Sequence, residues 1–295
     1  MSDIVLIHPT AGNGRGKGSR SRPANSRETE GGSFGAGIVN SSAIAGLVIK
    51  ELFRRKDFYA LFILTALITL ILGSVNFFNE ANIVRYLKEI CLLLIWISSL
   101  VISITTAARQ IPAERESRTI FPLLAKPVTR SQVVVGKFLG CWQAVGIALI
   151  VFYVFFGIVS GTREHHWAVA QYAQAITLHW FMLGIVIAMT ILGSIVFAAP
   201  SSNNTITFVL SVGILLVARH LSKLALQLPE PQQTVVYSIY FCLPHLELFD
   251  VRDLIIHDLG TIDWLVWAGA LGYALVYAAL FLSAACLLFR RKSVT

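Results

Sequence analysis

Charged residues are scarce in this sequence. Of its 295 residues only 14% are Asp, Glu, Lys or Arg, whereas 56% are hydrophobic. A soluble domain carries about 25% charged residues and roughly 45–50% apolar ones. The chain has too few charges to cover a globule in water, which argues against a water-soluble enzyme, a disordered regulator and a fibrous protein. What remains is a multi-spanning membrane protein.

Cysteine is also sparse, and its spacing carries no motif. The four cysteines (Cys91, Cys141, Cys242 and Cys286) are scattered, and no CxxC pair is present. This pattern predicts neither a disulfide framework nor a metal site. The glycine-rich string that ends at Lys17-Gly18 lacks the Ser or Thr that a phosphate-binding loop needs for magnesium. We therefore expect the chain itself to bind no ATP, metal or other cofactor.

Long apolar runs are what the sequence has in abundance. A helix needs about 20 predominantly apolar residues to cross a bilayer, and six runs meet or approach that length. They cover about 58–78, 90–108, 133–159, 173–199, 205–218 and 264–289. The pattern predicts an all-α, polytopic membrane domain over residues 41–292, after a disordered tail at 1–40 that is rich in Gly, Ser, Arg and Asn. The segment 219–263 contains three prolines, and we expect it to lie at the outer face without crossing.

The basic residues predict the orientation of these spans. With the start of the first span inside, 13 of the 24 Lys and Arg residues fall on the cytoplasmic side, 6 on the opposite side and 5 in the tail. Including Asp and Glu, the inside has a net charge of +9, the outside −3 and the tail +2. Because Lys and Arg collect on the cytoplasmic side of membrane proteins, six spans with both termini in the cytoplasm are expected.

The connection between the second and third spans is the most distinctive segment. Its charged residues surround an amphipathic helix predicted over about Ala113–Lys126, which is separated by Pro127 from a second short helix. With its flanks, this segment resembles the permease subunits of type-2 ATP-binding cassette (ABC) transporters. The matching residues are Glu114-Arg115-Glu116, Thr119, Leu123-Leu124, Pro127-Val128-Thr129-Arg130 and Gly136-Lys137. Two further matches are Leu243-Pro244-His245-Leu246-Glu247-Leu248-Phe249 and the entry to the first span, Lys50–Lys56.

The resemblance implies a coupling role for this segment. In such permeases a cytoplasmic coupling helix between spans two and three docks on a separate ATPase subunit, which binds ATP and magnesium. By carry-over, Glu114, Glu116 and Arg118 would contact the ATPase and Leu123 and Leu124 would fill its groove. Pro127 would end the coupling helix, and Arg130 would hold it against lipid headgroups or span ends. The chain departs from the family pattern at Arg118, where glycine is usual, and at Gln132, where an acid is common.

The resemblance also implies the partners and the location of the protein. The permease would form a dimer, homomeric or with a sister permease, in the bacterial plasma (inner) membrane, and would not bind nucleic acid. The function expected is ATP-driven export, and the apolar spans favour a lipid-like or amphipathic substrate. The alternative within this family is a role in the maturation of a metalloenzyme (a copper enzyme), because residues 243–249 resemble that branch.

Two other classes compete with this interpretation. An intramembrane serine protease would need a histidine in a span facing Ser160 or Ser194, and the sixth span has none. A secondary transporter or channel would need ionisable residues at mid-membrane. The predicted span interiors hold almost none, and His179 lies near a span end. Trp167, Trp180, Trp264 and Trp267 lie near span ends as well, where interfacial aromatics are common.

Overall fold

The computed structural model describes residues 46–50, 54, 56–74, 80–112, 130–164, 167–197, 199–225, 229–234, 236, 238 and 243–291. The predicted tail at 1–40 lies outside this set. Within it the chain is helical and has no strand. The α-helices are α1 (Lys56–Ser74), α2 (Glu80–Ala108), α3 (Arg130–Glu164), α4 (Val169–Val196), α5 (Pro200–Ala225), α6 (Arg252–Ile256) and α7 (Trp264–Arg291), with a 3-10 helix at Leu246–Phe249.

Five stretches within these helices are long and apolar enough to cross a membrane. They are Val84–Ala108, Arg130–Thr162, Val169–Val196, Pro200–Val217 and Trp264–Arg291. In α1 the comparable apolar stretch among the described residues is shorter, Tyr59–Ile68. The prediction of an all-helical, polytopic chain is therefore confirmed with five candidate spans, and the count of six stays a prediction.

Two helices extend well beyond the runs that hydropathy marks. α2 begins at Glu80 although its apolar run begins near residue 90, because a helix can continue through charged residues that find partners. α5 begins at Pro200, a residue well suited to a first helical turn, and continues to Ala225. The fifth apolar run, which is short by hydropathy alone, thus lies inside a 26-residue helix.

Helix α4 is the centre of the bundle. Every residue from Met182 to Ile191 is buried, as expected for a helix that is apolar on all sides. α4 packs against α2, α3, α5 and α7, while α1 packs mainly on α2. By contrast, few residues of α7 are fully buried (Ala274, Ala278, Ala285 and Phe289). α7 therefore lies at the edge of the bundle and presents its small side chains to the interior.

A reciprocal tryptophan pair joins α3 to α4. The indole N–H of Trp142 donates to the carbonyl of Trp180 at 2.9 Å, and that of Trp180 donates to the carbonyl of Trp142 at 2.8 Å. The two rings stack with centroids 4.6 Å apart. Each ring lies against a glycine of the other helix: a Cβ at Gly146 would be 2.6 Å from Trp180 Nε1, and one at Gly184 would be 3.0 Å from Trp142 Nε1. Trp180 is thus a packing residue between helices, although its position near a predicted span end suggests an interfacial one.

A buried asparagine connects α4 to the next helix. The side chain of Asn203 in α5 is fully buried, donates to the carbonyl of Thr190 at 3.0 Å and accepts from the Thr207 hydroxyl at 3.2 Å. Gly193 allows this approach, because a Cβ there would collide with the Asn203 amide oxygen. Small residues permit such close contacts between membrane helices, where polar side chains bond across the interface.

Residues 243–263, which we call the cap segment, cover one end of the bundle. Pro244, Leu246 and Phe249 are buried, and the 3-10 helix packs on α4 and α5. Gln174 in α4 holds the far end of the segment, because its amide donates to the Ile262 carbonyl at 3.0 Å and accepts from the Ile262 N–H at 2.9 Å. This end of the bundle, the cap end, is the one that sequence reasoning places outside the cell.

Candidate functional site

The predicted coupling segment lies between two described helices. Residues 113–129 are outside the described part of the chain, and with them Glu114, Glu116, Arg118, Leu123, Leu124 and Pro127. The arrangement of these six predicted site residues therefore stays a prediction. It does describe both flanks: α2 ends at Ala108 and continues through a turn to Pro112, and α3 begins at Arg130.

Arg130, the seventh predicted site residue, is bound to the end of the last helix. Its Nη1 donates to the carbonyl of Phe289 at 3.2 Å, and its guanidinium carbon lies 5.9 Å from the centroid of the Phe289 ring. The last carbonyls of a helix have no partner within the helix and carry partial negative charge. Arg130 therefore gives a hydrogen-bond partner to a carbonyl in the last turn of α7, and it attaches the start of α3 to that helix.

Lys137 makes the corresponding contact on the other flank. Its ammonium donates to the backbone carbonyl of Gln110 at 2.7 Å and to the Gln110 side-chain oxygen at 3.3 Å. Both side chains are buried, and the Gln110 amide in turn donates to the carbonyl of Thr106 at 3.3 Å. The turn after α2 is thus attached to the first turns of α3. Hydropathy alone would place both side chains, a lysine and a glutamine, in water.

Together these contacts make a framed loop. We give this name to the segment 113–129 with its two described flanks: Gln110 before it is bonded to Lys137 of α3, and Arg130 after it is bonded to Phe289 of α7. The described flanks of the segment thus join three long helices, α2, α3 and α7.

At the cap end, a cavity of about 330 Å³ lies between α2 and α5. Its apolar walls are Leu93, Trp96, Ile97 and Leu100 from α2 and Val212, Leu215 and Leu216 from α5. Leu93 and Ile97 are about half exposed and Leu216 is more so, whereas Trp96 and Leu100 are buried. The cavity therefore has a closed inner wall and opens on the side of the bundle that faces outward.

One end of this cavity is polar. Asp250 and Arg252 line it and form a bidentate ion pair, with Nε 2.8 Å from Oδ1 and Nη2 2.9 Å from Oδ2. The hydrogen bond to Asp250 raises the pKa of the Arg252 guanidinium above its ordinary value. The guanidinium carbon lies 5.0 Å from the centroid of the Trp96 ring, a cation–π distance. The pair is therefore charged and held in one orientation at the edge of an apolar pocket.

A buried histidine supports the wall behind Trp96. The ring of His179 stacks on Trp96 at a centroid distance of 4.9 Å. Its Nε2 lies 3.0 Å from the Ser99 hydroxyl, and its Nδ1 lies 3.4 Å from the Tyr153 hydroxyl. Both ring nitrogens are thus engaged by neighbouring helices, which orients the imidazole and, through it, the indole that lines the cavity.

A second ion pair fastens the cap segment to α2. Lys88 is 1% exposed, and its ammonium donates to Asp258 at 3.0 Å and to the carbonyl of Ile255 at 3.2 Å. The Asp258 side chain itself is 57% exposed. The predicted second span begins near residue 90, which leaves Lys88 in the connection before it. The acid-rich cap segment was the available signal that a buried cation could find a partner there.

The fold and these contacts define a class of protein: a multi-pass membrane protein with the framed loop at one end of its helices and a lined cavity near the other. A family model described as ABC-2 family transporter protein matches residues 42–294, and the chain belongs to that family. No individual curated protein matches the chain. The family is the membrane component of an ABC transporter and is not itself catalytic, and membership implies association with an ABC ATPase subunit. The prediction of a type-2 ABC permease is confirmed.

Proposed function

We propose that this chain is the membrane-spanning half of an ATP-driven exporter and forms the translocation path as a dimer, either with a second copy or with a sister permease. In this proposal α1 also crosses the membrane, which gives six spans. Both termini then lie in the cytoplasm and the cap segment lies outside, in a bacterial plasma (inner) membrane. ATP and magnesium bind to a separate ATPase subunit.

The observation that carries the proposal is the framed loop. Closure of the ATPase dimer would displace the coupling helix at about 113–126, which docks through Glu114, Glu116 and Arg118 and through Leu123 and Leu124. Because Lys137 and Arg130 attach the flanks of this segment to α2, α3 and α7, the displacement would reach the cap end without a hinge in between. The cavity between α2 and α5 lies at the far end of that path.

A role in copper-enzyme maturation would use the same permease architecture. It rests on the resemblance of residues 243–249 to one branch of the family. In this chain Pro244, Leu246 and Phe249 of that motif are buried against the bundle, so packing accounts for the motif without a metal-related role. We therefore favour the exporter.

Co-purification with the ATPase tests the docking. The permease would be expressed with a tagged candidate ATPase and captured on the tag, as the parent chain and as the variant Glu114→Lys with Leu124→Asp. We expect the variant to lose the ATPase, because one change reverses a contact charge and the other places a carboxylate in an apolar groove. Glu230→Lys is a matched control, since Glu230 is exposed in the loop before the cap segment. Equal capture of all three chains would rule out docking through this segment.

A further inference from the structure

The cavity between α2 and α5 has the size of a site for one alkyl chain. Its volume of about 330 Å³ lies at the low end of the range of small-molecule pockets. Its walls are aliphatic or aromatic side chains of the two helices, except at one end, where Asp250 and Arg252 line it. Its open side is bordered by Leu93, Ile97 and Leu216, which are exposed. A ligand that enters from that side therefore meets apolar surface along most of its length and a polar group at its end.

The two residues at the polar end differ in what they can offer a ligand. Asp250 accepts from Nε, from Nη2 and from the backbone N–H of Arg252, and its side chain is only 9% exposed. This carboxylate is therefore engaged by the protein. Arg252 uses two of the five N–H groups of a guanidinium on it. The other three have no acceptor among the described residues, and the arginine side chain is 25% exposed.

The position of these three donors is fixed by their neighbours. Asp250 holds the Nε edge of the guanidinium, and the Trp96 ring lies 5.0 Å from the guanidinium carbon. Trp96 also lines the cavity and is stacked on His179. The unpaired N–H groups of Nη1 and Nη2 gain free energy from an oxygen acceptor. An alkyl amine is a poor match, because it brings only donors and a positive charge to a site whose available groups are donors on a cation.

We propose that this cavity binds one alkyl chain of an amphiphile whose polar end is an oxygen acceptor, a phosphate or an ester carbonyl, and that it discriminates against alkyl amines. The chain lies between α2 and α5, and the oxygen accepts from the unpaired N–H groups of Arg252. The inference rests on the proposed function and deepens it, since it names the substrate class of the permease. It concerns binding by this chain alone and so can be tested without the ATPase.

Native mass spectrometry of the purified full-length chain in an amphipol gives the test. The delipidated protein would be titrated with three probes of matched chain length: dodecyl phosphate, 1-dodecanoylglycerol and dodecylammonium. We expect both oxygen-ended probes to bind about ten-fold more tightly than the amine, the size of one charge-assisted hydrogen bond. Tighter binding of the phosphate than of the glycerol ester would identify a lipid phosphate as the acceptor, and equal affinity would identify a neutral ester. Equal or tighter binding of dodecylammonium would overturn the proposal.

A matched pair of variants locates the site. Leu215→Trp fills the cavity and should greatly weaken binding of both oxygen-ended probes, whereas Leu265→Trp, at a position 80% exposed on α7, should leave it unchanged. Undiminished binding to Leu215→Trp would overturn the site. Selective binding by the parent chain together with failed ATPase docking would reject the exporter and leave this site standing.

A third variant tests the donor. Arg252→Lys keeps a positive charge beside Asp250 but removes the planar, forked set of N–H groups. It should weaken 1-dodecanoylglycerol by about ten-fold and leave dodecylammonium unchanged. Misfolding cannot produce this pattern, because it would weaken both probes. Unchanged affinity of Arg252→Lys for the glycerol ester would overturn the assignment of Arg252 as the donor.

Discussion

Because of the tryptophan pair between α3 and α4, we expect one added methyl group at Gly146 to destabilise the protein. At Gly146 an alanine Cβ would lie 2.6 Å from Trp180 Nε1 and 2.9 Å from Trp180 Cε2. The indole cannot move away freely, since it donates to the carbonyl of Trp142 at 2.8 Å and stacks on the Trp142 ring. Gly146→Ala must therefore either break that hydrogen bond or separate the helices.

The magnitude follows from two opposing effects. Replacing a helical glycine by alanine stabilises a helix by roughly 0.5–1 kcal/mol, while overpacking a close-packed interior costs about 1–3 kcal/mol. Loss of the indole hydrogen bond adds about 1 kcal/mol. We expect Gly146→Ala to lower the free energy of unfolding by roughly 1–3.5 kcal/mol. Gly272→Ala is the control, because a Cβ there meets nothing within 4 Å, and it should be neutral or slightly stabilising.

Unfolding of the detergent-purified protein by a denaturing detergent, followed by far-UV circular dichroism, would measure the difference. A double-mutant cycle with Trp180→Phe isolates the cause, because the smaller ring leaves room for the new methyl group. In the Trp180→Phe background the cost of Gly146→Ala should fall by more than half. The reasoning fails if Gly146→Ala and Gly272→Ala have the same effect, or if the cost of Gly146→Ala is independent of residue 180.

Two further predictions concern the orientation and the buried lysine. In a chain without native cysteines, Glu116→Cys should react with an impermeant maleimide only from the cytoplasmic side. His257→Cys, at an exposed position of the cap segment, should react only from outside. Labelling of both cysteines from one side would contradict the topology. Asp258→Asn should destabilise the protein by about 1–3 kcal/mol, because a buried ammonium loses its carboxylate, whereas Lys88→Met should cost much less, since Asp258 is 57% exposed. The same unfolding assay measures both variants. A larger loss of stability in Lys88→Met than in Asp258→Asn would contradict this account of the pair.

Hydropathy was sufficient to predict the long helices, because a run such as residues 264–289 has no other stable state than a buried or membrane helix. It could not predict their full length. The helix that contains Lys88 begins at Glu80 because the ammonium is bound by Asp258 and by the carbonyl of Ile255. Those partners lie far along the chain, and a window of neighbouring residues contains no information about them.

The site was predictable only in its flanks. The Arg130 and Gly-Lys positions could be recognised by pattern, but their actual partners, Phe289 and Gln110, come from tertiary packing. The cavity was not predicted, since its walls come from two helices that are not adjacent in the chain and its polar end comes from a third segment. The acid-rich stretch around Asp250 was visible, and it could have indicated a cationic partner within the bundle.

The Lys88–Asp258 contact also has a consequence for biosynthesis. The two residues are separated by 170 positions, and the lysine is made first. Removing a single ammonium from water costs several kcal/mol, so a nascent chain that ends before Asp258 keeps the beginning of α2 at the water interface. Lys88 would become buried only when the cap segment has been made and covers it. Packing at the beginning of α2 is then completed near the end of translation, and a chain truncated after α5 would leave Lys88 without its carboxylate partner.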